Sequence, residues 1–123
     1  MAERAGVIAV DAAKAALEPD PLDPAQVVSG EPRTSALVLS SSSDGQEAGV
    51  WRCTPGTFTD LEVDETFVVI EGRATIAFDG GEVEVGAGDV CELAAGTKTV
   101  WTVHETLLKG YRIGPGAAGP QTS

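Results

Sequence analysis

Asp64-Glu65-Thr66-Phe67-Val68-Val69-Ile70-Glu71-Gly72, then Arg73-Ala74-Thr75-Ile76-Ala77-Phe78 and the tight turn Asp79-Gly80-Gly81, decides the fold of this chain. Residues 65–70 are rich in Val, Ile and Phe, which suit a pleated, half-buried surface. Residues 73–78 set Ala74, Ile76 and Phe78 against Thr75 and Ala77, the period of a strand. Asp79-Gly80-Gly81 is a hairpin signal. Beyond it, residues 82–85 place two glutamates on one face and two valines on the other. Gly86-Ala87-Gly88-Asp89 turns the chain, and residues 90–93, 99–103 and 106–113 read as further strands. Upstream, residues 36–39 and 49–53 are strands, separated by a polar loop at 40–45 with Asp44-Gly45 as a turn signal. Thr54-Pro55-Gly56 is another turn. About eight short strands at this spacing define an all-β sandwich or barrel.

Composition agrees. The chain has 123 residues, enough for one domain and one core. Its hydrophobic content of 42% is too high for a disordered chain. The 15 glycines and 7 prolines supply the turns that short strands need. With 19 acidic against 8 basic residues the net charge is −11, which repels phosphate backbones and anionic lipid, so neither nucleic acid nor membrane is an expected partner. No apolar run is long enough to span a bilayer. Met1-Ala2-Glu3-Arg4-Ala5-Gly6 has no basic segment leading into an apolar run, so no secretory signal is read and a cytoplasmic location is expected. Cys53 and Cys91 are then expected to stay reduced.

The chain divides unevenly. Residues 1–35 form an N-terminal arm rich in Ala, Pro and Asp. Within it, residues 9–17 have the composition of a short helix with Asp11 as candidate N-cap, and Pro19, Pro21 and Pro24 then enforce an extended path. Residues 36–113 carry the barrel, and residues 114–123 are a Gly/Pro/Ala-rich tail expected to be loose. No internal repeat is read in these residues, and one domain is expected.

The turn glycines and their flanking strands resemble the frame of a cupin, which implies a single jelly-roll β-barrel with an extended N-terminal arm. A cupin's first motif runs from a Gly through a His-x-His pair to a Glu, with a Gly after six more residues. Glu65 and Gly72 match its second half. The His-x-His positions fall on Phe58-Thr59-Asp60, or one residue later, and hold no histidine. The second motif has Gly-Asp, then Pro-x-Gly, then a His. Gly88-Asp89 and Gly96 match, but Ala94 stands for the proline and Thr99 for the histidine. The set Gly49-Val50-Trp51, Cys53-Thr54-Pro55-Gly56, Phe58, Asp64-Glu65, Glu71-Gly72, Gly88-Asp89, Gly96, Trp101, Lys109 and Tyr111 resembles one cupin group in particular. That group shares the ureidoglycine aminohydrolase-type domain and is related to the ethanolamine-utilisation cupin. The likeness covers roughly residues 20–113, and a fold alone does not fix a reaction.

The resemblance places Glu65 and Thr99 toward the barrel lumen, and side chains two apart on a strand share a face. The expected lumen is therefore Trp51, Cys53, Glu65, Phe67, Thr99, Trp101, Lys109 and Tyr111. Glu65 reads as a ligand-contacting carboxylate or general acid/base, or as a structural carboxylate paired with Lys109. Lys109 is its natural partner by sign, and it could also anchor an anion or act as an amine nucleophile. Trp51, Phe58, Phe67 and Trp101 are walls of a small pocket, or the filling of a barrel with no cavity. Cys53 has no base in register and reads as a packing residue, as does Cys91. His104, the one histidine, is out of phase with Thr99, Trp101 and Val103 and should point away from the lumen. One histidine with Glu65 falls short of a transition-metal site. Asp60, Glu62 and Asp64 read as a solvated acidic rim, with an oxygen-only cation site near Asp60, Glu62 and Glu65 as the alternative.

Three functions follow from this reading. The first is a metal-independent cupin that needs no cofactor and binds a small polar metabolite. The second is a small acid/base enzyme of isomerase, dehydratase or hydrolase type, using Glu65 with Tyr111 or Lys109. The third is a structural dimeric module with a filled barrel. The resemblance implies a homodimer formed through the arm and a sheet edge, which would also cover exposed strand edges.

Overall fold

In the computed structural model, residues 6–114 are described. Nine strands occur among them: β1 (Glu18–Pro19), β2 (Val27–Gly30), β3 (Thr34–Ser41), β4 (Glu47–Cys53), β5 (Gly56–Leu61), β6 (Glu65–Phe78), β7 (Gly81–Gly86), β8 (Val90–Leu93) and β9 (Lys98–Ile113). The expected loose tail lies, past Gly114, outside the described residues. No helix among the described residues is long and apolar enough to cross a membrane.

The all-β jelly roll is built on two long strands. β6 and β9 pair antiparallel along nearly their whole length, from Glu65 opposite Ile113 to Phe78 opposite Thr99. On its other side β9 pairs with β5 through residues 98–103 and with β4 through residues 107–113. β6 likewise pairs with β8 at one end and β7 at the other. Each long strand thus serves both halves of the curled sheet. Order continues outward from β4 to β3 and β1, and from β5 to β2.

Sequence periodicity splits these long strands at Glu71-Gly72 and at His104-Glu105. The structure instead carries them through, with bulges between Val69 and Ala74. Buried positions of β6 are Phe67 and Val69 before the bulge and Ala74 and Ile76 after it, so the inward face changes parity there. A bulge does this because one extra residue flips every side chain beyond it. Gly72 makes the bend feasible. Its φ is +94°, and a Cβ there would run into the Thr106 carbonyl oxygen.

The arm joins the sheet. β1 pairs with β3, and β2 pairs with β5. Between them Asp23 caps the 3-10 turn Pro24–Gln26, and the Gln26 side chain closes the capping box. The helix expected over residues 9–17 does not form. Only one turn is made, where the Lys14 and Ala15 amides donate to the Asp11 carbonyl and the Ala13 amide to the Asp11 carboxylate. A segment this short lacks the length to offset helix nucleation without a packed apolar stripe.

The core fills the middle of the barrel. Cys53, Phe58, Phe67, Val69, Ala74, Ile76, Val85, Leu93, Trp101, Val103 and Leu107 are buried together there. One end of the barrel is not filled, and the candidate site lies there.

Candidate functional site: a charged cavity at one end of the barrel

A cavity of about 330 Å³ opens beside the aromatic core. Its walls are Trp51, Phe58 and Trp101, its charged groups include Glu65 and Lys109, and Tyr111 lies on the last strand. The arm contributes Asp20, Pro21, Leu22 and Gln26 across one side. Leu22 packs on the core, and the Thr34 hydroxyl donates to the Asp20 carbonyl, which fixes the arm there.

Register explains the convergence. Trp51 on β4 lies opposite Lys109 on β9, and Val69 on β6 flanks Lys109 from the other side. Lys109 therefore points inward between two aromatic-bearing strands. Its Nζ sits 2.8 Å from Glu65 Oε2, and both side chains are less than a tenth exposed. The same ammonium lies 4.3, 4.6 and 4.9 Å from the ring centroids of Phe67, Trp51 and Trp101. A desolvated cation over aromatic faces gains from the ring quadrupoles, which adds to the ion pair. The rings brace one another: Phe58 stacks on Trp101 at 5.9 Å and 9°, and Trp51 meets Trp101 edge-on at 6.1 Å.

A second carboxylate lies deeper than its sequence implied. Glu62, read above as part of a solvated rim, is only 5% exposed. Its Oε2 accepts from the Thr99 hydroxyl at 2.6 Å and from Trp101 Nε1 at 2.9 Å. Thr99, at the position of a cupin ligand histidine, thus donates to a carboxylate. The missed signal was parity. Phe58, Asp60 and Glu62 are two apart, and Phe58 faces the core. Asp60 is half-buried and lines the cavity. Burial, reinforced by nearby Glu62, pushes its carboxyl up to about 6. Of the three rim acids only Asp64 is exposed, where it accepts from the Ala95 amide.

The other expected site residues divide between cavity and core. Trp51, Phe58 and Trp101 line the cavity together with Glu65, Lys109 and Tyr111. Cys53, Phe67 and Thr99 stand behind the lining, buried. Burial pushes the Cys53 thiol up to about 12, so it is protonated at neutral pH and is not a nucleophile in this state. The Tyr111 hydroxyl donates to Glu47 Oε2 at 2.7 Å, and burial with that bond raises it well above the usual phenol range. His104 is exposed and outward, with Nε2 2.8 Å from Thr75 Oγ1.

The donor set does not fit the metal that cupins commonly hold. Lys109 Nζ lies against Glu65, the one ligand-type residue kept at its motif position. Among the described residues no three His, Cys, Asp or Glu side chains form a group that could hold a metal ion.

Asp60 gives the site a pH signature. Its folded carboxyl sits near 6, above the ordinary aspartate value of 3.8, so the folded state binds a proton more readily than the unfolded state. Its unfavourable contribution is fully present above pH 6 and is relieved as pH falls toward 4. Asp60→Asn should therefore stabilise the protein by about 1 kcal/mol at pH 7.5, reduced for partial exposure, and by much less at pH 4.5. Thermal melts of both proteins at the two pH values check this, and equal gains at both would contradict it.

A curled all-β jelly roll with left-handed turn glycines at Gly72, Gly88 and Gly96 is the architecture of the cupin class. The EutQ-like cupin domain model matches residues 40–111, and the chain belongs to that family. Among solved structures, it is similar to a protein of unknown function of the DUF861 family from Pseudomonas syringae pv. tomato. That match has 28% identity and a TM-score of 0.74, over 81% of this chain and 45% of the other. This chain thus spans less than half the length of that relative. It also shares its fold with the EutQ protein of Clostridium difficile, at 20% identity and a TM-score of 0.61, over 78% and 81% of the two chains. A putative ethanolamine utilization protein Q from Salmonella typhimurium matches at 17% identity and a TM-score of 0.60, over 81% and 94%. No curated protein matches the chain.

Proposed function

We propose that this cupin binds a small polar metabolite in its lumen without a metal ion. One observation carries the reading: a cavity of about 330 Å³ bordered by a buried Lys109–Glu65 pair and by Trp51 and Trp101. Apolar walls with a few convergent polar groups are the usual anatomy of a small-molecule site. Glu65, Lys109 and Tyr111 are the polar contacts in this reading, and Trp51, Phe58 and Trp101 the walls. Cys53, Phe67 and Thr99 shape the site from behind. Acid–base turnover is the second reading, favoured by Asp60, whose carboxyl on the cavity wall is pushed up to about 6 by burial and by Glu62.

In the same reading residues 36–113 are the barrel, residues 1–35 its arm, and the protein works in the cytoplasm with both cysteines reduced. Its partner besides the ligand is a second copy of the chain. Exposed Val68, Ile70 and Val90 on adjacent β6 and β8 support an apolar contact face.

The test is a ligand-induced thermal-shift screen over metabolites and metals, repeated on Glu65→Gln. A ligand of the folded state raises apparent stability, by about 2.7 kcal/mol at a hundredfold excess over Kd. The reading expects a metabolite hit that Glu65→Gln weakens at least tenfold while the barrel stays folded. A hit unchanged by Glu65→Gln would remove Glu65 from the site, and stabilisation by metals alone would overturn the reading.

A further inference from the structure

The charges around the cavity do not balance. Five carboxylates border it, Asp20, Glu47, Asp60, Glu62 and Glu65, against one ammonium, Lys109. Lys109 is committed to Glu65 at 2.8 Å. Four carboxylates remain for which no cation lies within ion-pair distance among the described residues. Glu62 is the most telling of them. It is 5% exposed, and both of its donors, Thr99 and Trp101, go to Oε2. Among the described residues no hydrogen bond reaches Oε1. A buried carboxylate without a countercharge costs several kcal/mol unless it is paired or takes up a proton.

The walls point the same way. Trp51 and Trp101 line the cavity, and the Lys109 ammonium already rests over both of their rings. These rings are a surface on which a desolvated cation is stabilised. An organic anion entering the cavity would meet four uncompensated carboxylates. A neutral molecule would leave Glu62 unpaired.

We infer that the lumen takes a small organic ammonium ion, its charged end received by Glu62 and Asp60 and its carbon skeleton lying against Trp51. This rests on the reading of the lumen as a ligand cavity and adds the charge of what enters.

A charge series at constant size tests it. Butylammonium, 1-butanol and butyrate are titrated into the full chain at pH 7.5, and the two indole N–H signals, from Trp51 and Trp101, are followed by NMR. The Trp101 N–H donates to Glu62, so it reports directly on that carboxylate. Butylammonium should shift both signals saturably, and the other two probes should not. Glu62→Gln keeps an acceptor for Trp101 and Thr99 while removing the charge, and it should weaken butylammonium binding at least tenfold. Asp60→Asn, at a half-exposed position, provides a second variant with the same expected direction, so the test survives if Glu62→Gln misfolds. Butyrate or 1-butanol binding as tightly as butylammonium would overturn the inference and leave the ligand cavity standing. No saturable shift with any probe would also overturn it, and the metabolite screen on the same protein then decides the cavity separately. Saturation by Mg²⁺ or Ca²⁺ instead would sink both the inference and the metal-free reading.

Discussion

Replacing Lys109 with methionine should destabilise the protein by about 3–5 kcal/mol, the range for removing one partner of a buried ion pair. Methionine keeps most of the volume and stays compatible with Trp51, Phe67 and Trp101, so little of the loss comes from a void. The cost arises from Glu65, whose side chain is 9% exposed and would lose its countercharge. The double variant Lys109→Met with Glu65→Gln should recover most of the loss, because an uncharged pair of similar shape needs no compensation. Urea unfolding of wild type, both single variants and the double variant gives the coupling energy. A Lys109→Met cost under about 1 kcal/mol, the value of an exposed pair, would mean that the pair is not held as buried charge.

Trp101→Ala should cost a comparable amount, about 3–5 kcal/mol, the usual range for deleting a buried aromatic. Trp101 is 2% exposed and touches Phe58, Phe67 and Trp51, so its removal leaves a hole at the centre of the aromatic cluster. It also takes one of the two donors from Glu62. Trp101→Phe separates the two effects. It keeps part of the packing while removing the N–H and the rest of the second ring, and it should cost less than Trp101→Ala but at least the ~1–3 kcal/mol of leaving a buried polar group unsatisfied. Combining Trp101→Phe with Glu62→Gln should then cost less than the sum of the single changes. Strict additivity in melts or urea titrations would show that the indole N–H and Glu62 act independently.

Much of this architecture is legible in the chain, because strand alternation and turn glycines are local signals. Glu65 and Lys109 could be paired on paper, since each lies on the inward parity of a strand and their signs oppose. The unity of β6 and β9 was not legible. Gly72 reads as a turn, yet its left-handed φ serves a bulge within a continuous strand, and only the pairing with β9 distinguishes the two. The arm was readable as extended from its prolines. Its contact with the cavity through Asp20 and Leu22 depends on long-range pairing with β3 that no periodicity encodes. Glu62 was misread for a different reason. Three acids in five residues look like a hydrated loop, and the parity shared with Phe58 was outweighed by composition. The two donors that fix Glu62, Thr99 and Trp101, come from β9, more than thirty residues away.

The central proposal, that the lumen binds its ligand without a metal ion, meets its most direct test in the metal content of the native protein. Elemental analysis by mass spectrometry is made on protein purified without chelators, alongside Glu65→Gln. The account predicts transition-metal and calcium contents well below one per chain, unchanged by the substitution. One tightly held metal per chain, lost in Glu65→Gln, would contradict it.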